Sequence, residues 1–188
     1  MAYNAGTQRR MLMSMGRKSD GFTIVELMIT ILVLAVLISL GAPNLQQMIV
    51  NNRLTTEVNS LVAGLQYARS EALRRNAVVT IGSDSTDWSG GWSVWLDTDA
   101  DNVVDSTETL LRAQSAQASG YTIKPPSSVT TSPAALRFNP NGTIANASPL
   151  ITEVCRSGVV GRVVTVSPVG QVQTSNTKDS SNNDVKCP

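Results

Sequence analysis

Gly21 to Ala42 reads GFTIVELMITILVLAVLISLGA, and the reading of this stretch decides the fold. From Phe22 it runs for 21 residues with one charge, Glu26, and meets no helix breaker before Gly41 and Pro43. A run of that length crosses the hydrocarbon core of a bilayer as a helix. A carboxylate inside it costs about 2.5–3.5 kcal/mol on insertion scales, which makes Glu26 a functional candidate by default. A secretory signal peptide would have a shorter apolar core with a small-residue cleavage site behind it. An ordinary single-span anchor accounts for the length and for the basic flank of Arg17 and Lys18. Neither accounts for a Gly-Phe junction followed by Glu26.

The order basic segment, Gly21, Phe22, Thr23, Glu26 and long apolar run resembles the class III signal of type IV pilins and type II secretion pseudopilins. The resemblance implies that an aspartyl prepilin peptidase cuts after Gly21 and that the new N-terminal Phe22 is N-methylated. It also implies that Glu26 pairs with the α-amino group of a neighbouring subunit during assembly and so sets the axial register, a known use of buried polar pairs. The plainer alternative is a Glu that snorkels at the membrane interface. Asp20 departs from the basic residue often found before the cut, and a start at Met15 would give the seven-residue leader MGRKSDG. Pro43 removes a backbone donor and crowds the preceding turn, so Gly41-Ala42-Pro43 is expected to bend or loosen the helix. A loosening Pro at this place is familiar in type IV pilins; a simple end to the membrane segment is the alternative.

Beyond Pro43 the pattern turns amphipathic. Leu54, Val58, Leu61, Leu65, Ala68 and Ala72 recur in steps of four and three, one helical face, up to an end near Asn76. The rest reads as strands at Val78–Ile81, Trp92–Leu96, Thr109–Arg112, Tyr121–Lys124, Ala135–Phe138, Gly161–Ser167 and Val169–Gln173, separated by turn-rich stretches. Asn141-Gly142 and Pro168-Val169-Gly170 are turn signals, with Gly free to take positive φ. The expected class is α+β: a long N-terminal helix, its first half transmembrane, packed on an antiparallel β-sheet domain in a pilin-like fold. The expected divisions are a leader over 1–21, a membrane and assembly helix over 22–42, its amphipathic half over 43–76, and a periplasmic β-rich domain over 77–188.

Three further pieces narrow the family. Tyr67–Asn76 (YARSEALRRN) resembles a helix ending of the GspH/FimT-like minor pilins and pseudopilins, Gly91–Trp95 with the acidic turn and Glu108 resembles their next hairpin, and Leu136–Thr143 and Gly161–Gly170 are similar to their C-terminal strands. The resemblance implies a minor pilin, with a FimU-like role in the initiating or tip complex of a type IV pilus as the first expectation. Its partners would be other minor pilins, the major pilin, a tip adhesin, the prepilin peptidase and the inner membrane. A type II secretion minor pseudopilin and a DNA-binding pilin for natural transformation are the alternatives.

Met1–Gly21 holds Arg9, Arg10, Arg17, Lys18 and Asp20, so the chain beyond it keeps 11 of the 15 basic and 13 of the 14 acidic residues. That balance gives no general drive toward nucleic acid. FimT-like members bind DNA through a basic C-terminal stretch. Here Arg162 matches the first Arg after the Gly, but Val164 stands where a second basic residue would strengthen the case. One Arg is thin support when phosphate contacts carry most non-specific affinity, so DNA is an unexpected partner and Arg162 is read as a strand residue.

Cys155 and Cys187 lie on the side that would be translocated, where an oxidising periplasm permits a disulfide. Closing a loop of about 30 residues would stabilise by a few kcal/mol and pin the tail; a pair of free thiols is the alternative. Asp97–Glu108 (DTDADNVVDSTE) places side-chain oxygens of Asp97, Asp99, Asp101, Asp105 and Glu108 at positions 1, 3, 5, 9 and 12 of a twelve-residue calcium loop. Against calcium, position six is Asn102 rather than Gly, although Asn tolerates left-handed backbone, and the flanks read as strands. A solvated hairpin is the expectation, with calcium the alternative and no other cofactor. The chain has no His and no nucleophile set, phosphate-cradling Gly loop or zinc spacing, so catalysis is not expected. Trp88, Trp92 and Trp95 are read as packing residues rather than a sugar platform.

Overall fold

The computed structural model describes residues 21–83, 85, 87–117, 120–126, 134–178, 182–184 and 187, with the backbone alone at Pro43. The expected leader up to Asp20, and Lys186 in the C-terminal stretch, lie outside the described residues. The described residues divide into two units, one up to Pro43 and one from Asn44. A helix, α1, runs over Ile24–Arg75. Its backbone is helical through Gly41, Ala42 and Pro43, so the proline does not end it.

In the second unit α1 presents to the core the face that the periodicity marks. Leu54, Val58, Leu61, Leu65, Ala68 and Ala72 are all buried, and burying a Leu or Val side chain is worth about 1.5–3 kcal/mol relative to leaving it exposed. Gly64 lies on this face because the indole of Trp92 packs on the helix there; a Cβ at Gly64 would come within 2.2 Å of the ring. The helix stops where Asn76 turns left-handed, φ 50°. The N–H of Ala77 then reaches back to the carbonyl of Ala72 at 3.3 Å, the six-to-one bond of a Schellman stop.

Eight strands follow: β1 (Val79–Ser83), β2 (Gly91–Leu96), β3 (Thr109–Ser115), β4 (Tyr121–Ile123), β5 (Ala134–Phe138), β6 (Leu150–Arg156), β7 (Arg162–Val166) and β8 (Val172–Asn176). They form two four-stranded sheets with orders β3-β2-β1-β5 and β4-β6-β7-β8, and every pairing is antiparallel. One core joins the helix face to Val79, Ile81, Val94, Leu136 and Phe138 of the first sheet and to Ile123, Leu150, Val154, Val164 and Val166 of the second. The three tryptophans are buried, as packing residues should be, and Trp88 also donates its indole N–H to the carbonyl of Ala134 at 2.8 Å.

Two strands depart from expectation. β6 carries no strand in the sequence reading, yet it sits inside the second sheet with β4 and β7 on either side. Its alternation is blurred because Thr152 is buried and Ile151 exposed, so apolar periodicity misses it. The last strand is β8, Val172–Asn176, rather than Val169–Gln173, and it takes in part of a stretch read as turn-rich. Its middle residues Gln173, Thr174 and Ser175 are exposed and polar. What makes it a strand is the ladder to β7, from Val166 opposite Val172 to Arg162 opposite Asn176.

At the end of α1, Glu71 is buried while its carboxylate accepts from Arg74 Nε at 3.1 Å, Arg74 Nη2 at 2.5 Å and Arg75 Nε at 2.7 Å. The hydrogen bonds from Arg74 and then Arg75 hold the carboxyl down at about 2, against an ordinary value of 4.5. A folded value below the unfolded one stabilises above the unfolded value, and the contribution drains away as pH falls from about 4.5 toward 2. Arg74 is largely solvated, so screening reduces the effect of the two pairs to about 0.5–1 kcal/mol at neutral pH. Glu71→Gln should cost that much in urea unfolding near neutrality and almost nothing at about pH 2. An equal loss at both pH values would show that the carboxylate charge is not the cause.

Candidate functional site

The first unit offers an uncovered apolar helix with one acid. Thr23 accepts the backbone N–H of Glu26 on its hydroxyl at 3.1 Å, which satisfies one of the free donors at the helix start. Thr23-Ile24-Val25-Glu26 thus has the residue order of a capping box, a signal present in the sequence but hidden by reading the run only for hydropathy. Glu26 is exposed and sits in the first turn, where the helix dipole favours a negative charge. The large apolar residues from Phe22 to Leu40 are exposed by 50% (Val33) to 82% (Phe22). An uninterrupted apolar surface of this kind marks contact with a membrane or with other subunits, and the helix is long and apolar enough to cross a membrane.

In the second unit three separate sequence motifs meet at one side chain. Arg69, from the helix ending, donates from Nε to the carbonyl of Gly142 at 3.0 Å and from Nη2 to the carbonyl of Val169 at 2.9 Å. Those carbonyls belong to the Asn139–Gly142 and Pro168–Gly170 turns, and the N–H of Ile144 ties the turns together by donating to the carbonyl of Pro168 at 3.0 Å. Gly142 and Gly170 both have positive φ, 76° and 77°. At Gly170 a Cβ would stand 2.0 Å from the Gly142 carbonyl oxygen. The helix motif and the two C-terminal motifs therefore form one structural joint.

The acidic loop joins β2 to β3 and is not simply solvated. Asp97 is buried; its Oδ2 accepts from the Thr80 hydroxyl at 2.7 Å and lies 3.3 Å from Arg137 Nε, an ion pair. Arg137, on β5, also donates from Nη2 to the Ala100 carbonyl at 2.5 Å and to Asn102 Oδ1 at 2.9 Å, pinning the loop. Ala100 and Asn102 are left-handed, φ 66° and 68°, so Asn102 takes the backbone that Gly would supply in a calcium loop. Of the five acids aligned to that pattern, Asp97, Asp99 and Glu108 come together, each offering an oxygen within 4.8 Å of the others. Asp101 and Asp105 are not in the group. Asp101 Oδ1 accepts from Val103 N at 2.7 Å, and Asp105 Oδ1 accepts from the N–H and hydroxyl of Thr107 at 2.6 and 2.7 Å. Those bonds hold the Asp105 carboxyl below the ordinary range, whereas burial first, and then the charges of Asp97 and Asp99, raise that of Glu108.

Cys155 of β6 is disulfide-bonded to Cys187, with Cα atoms 5.7 Å apart. The Cys187 N–H donates to the Val159 carbonyl at 2.8 Å, and its carbonyl accepts from Gly158 N at 3.2 Å, so residue 187 is tied down by backbone as well as sulfur. Arg162 begins β7 and donates from Nη1 to Asn176 Oδ1 on β8. Arg156 stacks over the Tyr121 ring, and Lys178 lies 3.5 Å from Asp184 Oδ1. The described basic residues after Ile151 are thus each engaged within the protein.

A capped apolar helix starting just behind Gly21-Phe22, with an acid in its first turn and a β domain built on its later turns, defines a pilin-type subunit. The comparisons agree: a family model described as Type II transport protein GspH matches residues 57–170, and one described as a prokaryotic N-terminal methylation motif matches residues 16–42. The chain belongs to the GspH family. Two crystal structures of the type IV minor pilin FimU from Pseudomonas aeruginosa (strain PAO1) are similar to it, both at 28% identity. One superposes with a TM-score of 0.56 over 66% of this chain and 90% of that one. The other gives 0.51 over 64% and 91%. No curated protein matches the chain.

Proposed function

We propose that the chain is a minor pilin of a type IV pilus, placed in the initiating or tip complex and required for pilus assembly and twitching motility. The observation that carries this reading is the likeness to FimU over nine-tenths of that protein's chain. In this reading prepilin peptidase cuts after Gly21 and Phe22 is N-methylated. The apolar half of α1 is held in the inner membrane with residues 44–188 in the periplasm. On assembly the Glu26 carboxylate meets the α-amino group of a neighbouring subunit, which compensates its burial and fixes the axial register. The β domain then selects its neighbours, coupling a tip component to the major pilin. No group in this reading performs catalysis.

The family model's description, a type II transport protein, favours a second reading in which the chain is a minor pseudopilin of a secretion filament. DNA uptake has less support, because Arg156, Arg162 and Lys178 are already engaged while phosphate binding needs available cations. An in-frame deletion should abolish surface pili and twitching and leave exoprotein secretion at the parental level. Secretion lost with pili intact would transfer the chain to the secretion pseudopilins. Loss of transformation alone would point to DNA capture.

A further inference from the structure

We propose that Asp97, Asp99 and Glu108 form a calcium site that locks the loop between β2 and β3 against the first sheet. An acidic cluster alone would not carry this, but two of these carboxylates hold buried oxygens with nothing to bind. Asp97 has a fully buried side chain; Oδ2 is taken by Thr80 and Arg137, whereas Oδ1 has no hydrogen-bond partner. Glu108 repeats the pattern: Oε1 accepts from Thr98 N at 2.9 Å, and Oε2 is buried without a partner. A buried acceptor left unsatisfied costs about 1–3 kcal/mol, more when charged, and a cation bound by these carboxylates would remove that cost.

The charge count and the spacing suit a divalent ion. Three carboxylates face one guanidinium, Arg137, whose Nη2 is turned to Ala100 and Asn102; the unbalanced charge is that of two carboxylates. Calcium takes oxygens at about 2.3–2.6 Å in adaptable geometry. Two oxygens on one such ion stand no more than about 5 Å apart, and those of Asp97, Asp99 and Glu108 lie within 4.8 Å of one another. Exposed Asp99 leaves the site open to water, which would complete the six to eight ligands calcium prefers. Magnesium demands a near-ideal octahedron at about 2.0–2.1 Å and gives up its waters reluctantly, so three side-chain carboxylates on a loop suit it less well. Three carboxylates on a surface loop suggest an affinity of about 0.1–1 mM, the range of extracellular modules.

The test is calorimetric titration and thermal unfolding of the full chain in detergent, with calcium, magnesium or chelator. Saturable calcium binding is expected, with a Tm that climbs with calcium up to about 10 mM and moves little with equal magnesium. Asp99→Asn keeps an oxygen for the Asp101 N–H and should fold normally while weakening binding about tenfold or more. Glu108→Gln keeps an acceptor for Thr98 N and should do the same. Absence of both heat and a Tm shift overturns the proposal, as does a calcium response that both variants retain. A Glu108→Gln chain that is more stable than the parent, beside a parent indifferent to calcium, would show that a proton on Glu108 fills the gap instead.

Discussion

Glu26→Ala is expected to leave leader removal intact while lowering incorporation into filaments by about a hundredfold to a few thousandfold. The size follows from the proposed pairing, since leaving one partner of a buried ion pair alone costs about 3–5 kcal/mol, with each 1.4 kcal/mol worth about tenfold in an equilibrium. In the membrane the carboxylate is itself the costly group, so the substitution should not impair insertion. The helix start should survive it, because the Thr23 hydroxyl holds the backbone N–H of residue 26 and the lost dipole contact is worth only about 0.3–1 kcal/mol. Cleavage is read from the mobility of membrane-bound protein and incorporation from sheared filaments. Glu26→Gln separates the charge from the shape: it should behave like the Ala variant if pairing with an ammonium matters. Wild-type amounts of the Ala variant in sheared filaments would defeat the pairing mechanism.

Gly170→Ala should destabilise the second unit by about 3 kcal/mol, from left-handed strain of about 1–2 kcal/mol and overpacking of about 1–3 kcal/mol. At φ 77° the new Cβ would lie 2.0 Å from the Gly142 carbonyl oxygen. That oxygen cannot retreat without breaking the bond from Arg69 Nε. Gly158 is the control, for it too has positive φ, 80°, but nothing lies within 4 Å of its Cβ position. Gly158→Ala should pay only the backbone strain of about 1–2 kcal/mol. Arg69→Lys should cost about 1–3 kcal/mol, since a single ammonium does not reproduce the fork that meets both carbonyls. The measurement is the urea midpoint of each variant, and equal losses for Gly170→Ala and Gly158→Ala would mean that the joint of the two turns is not tight.

The sequence was most legible where one period or one composition dominates. The exposed run from Phe22 needs nothing but hydropathy. The stripe from Leu54 to Ala72 needs only the 3.6-residue period, and all six of its residues are buried. The stop at Asn76 is local chemistry. Legibility failed at β6, where Thr152 faces in and Ile151 out, and at β8, whose polar residues are made a strand by their neighbour. In both cases ladder hydrogen bonds, not side-chain pattern, supply the strand.

The candidate sites divide along the same line. Ile24–Arg75 form a helix because helix bonds, capping and amphipathicity act within a few residues, so the helix follows from the sequence alone. The pilin-type reading of its start rests on the resemblance of Gly21, Phe22 and Glu26 to the pilin signal. Tertiary structure decided that Arg69 joins two distant turns and that Cys155 and Cys187 meet. It also reduced five aligned acids to three by burying Asp97 under Thr80 and Arg137, while Asp101 and Asp105 cap their own turns. Spacing along the chain shows which carboxylates could gather. Which of them do depends on desolvation and on competing hydrogen-bond donors, and those come from strands far away in sequence.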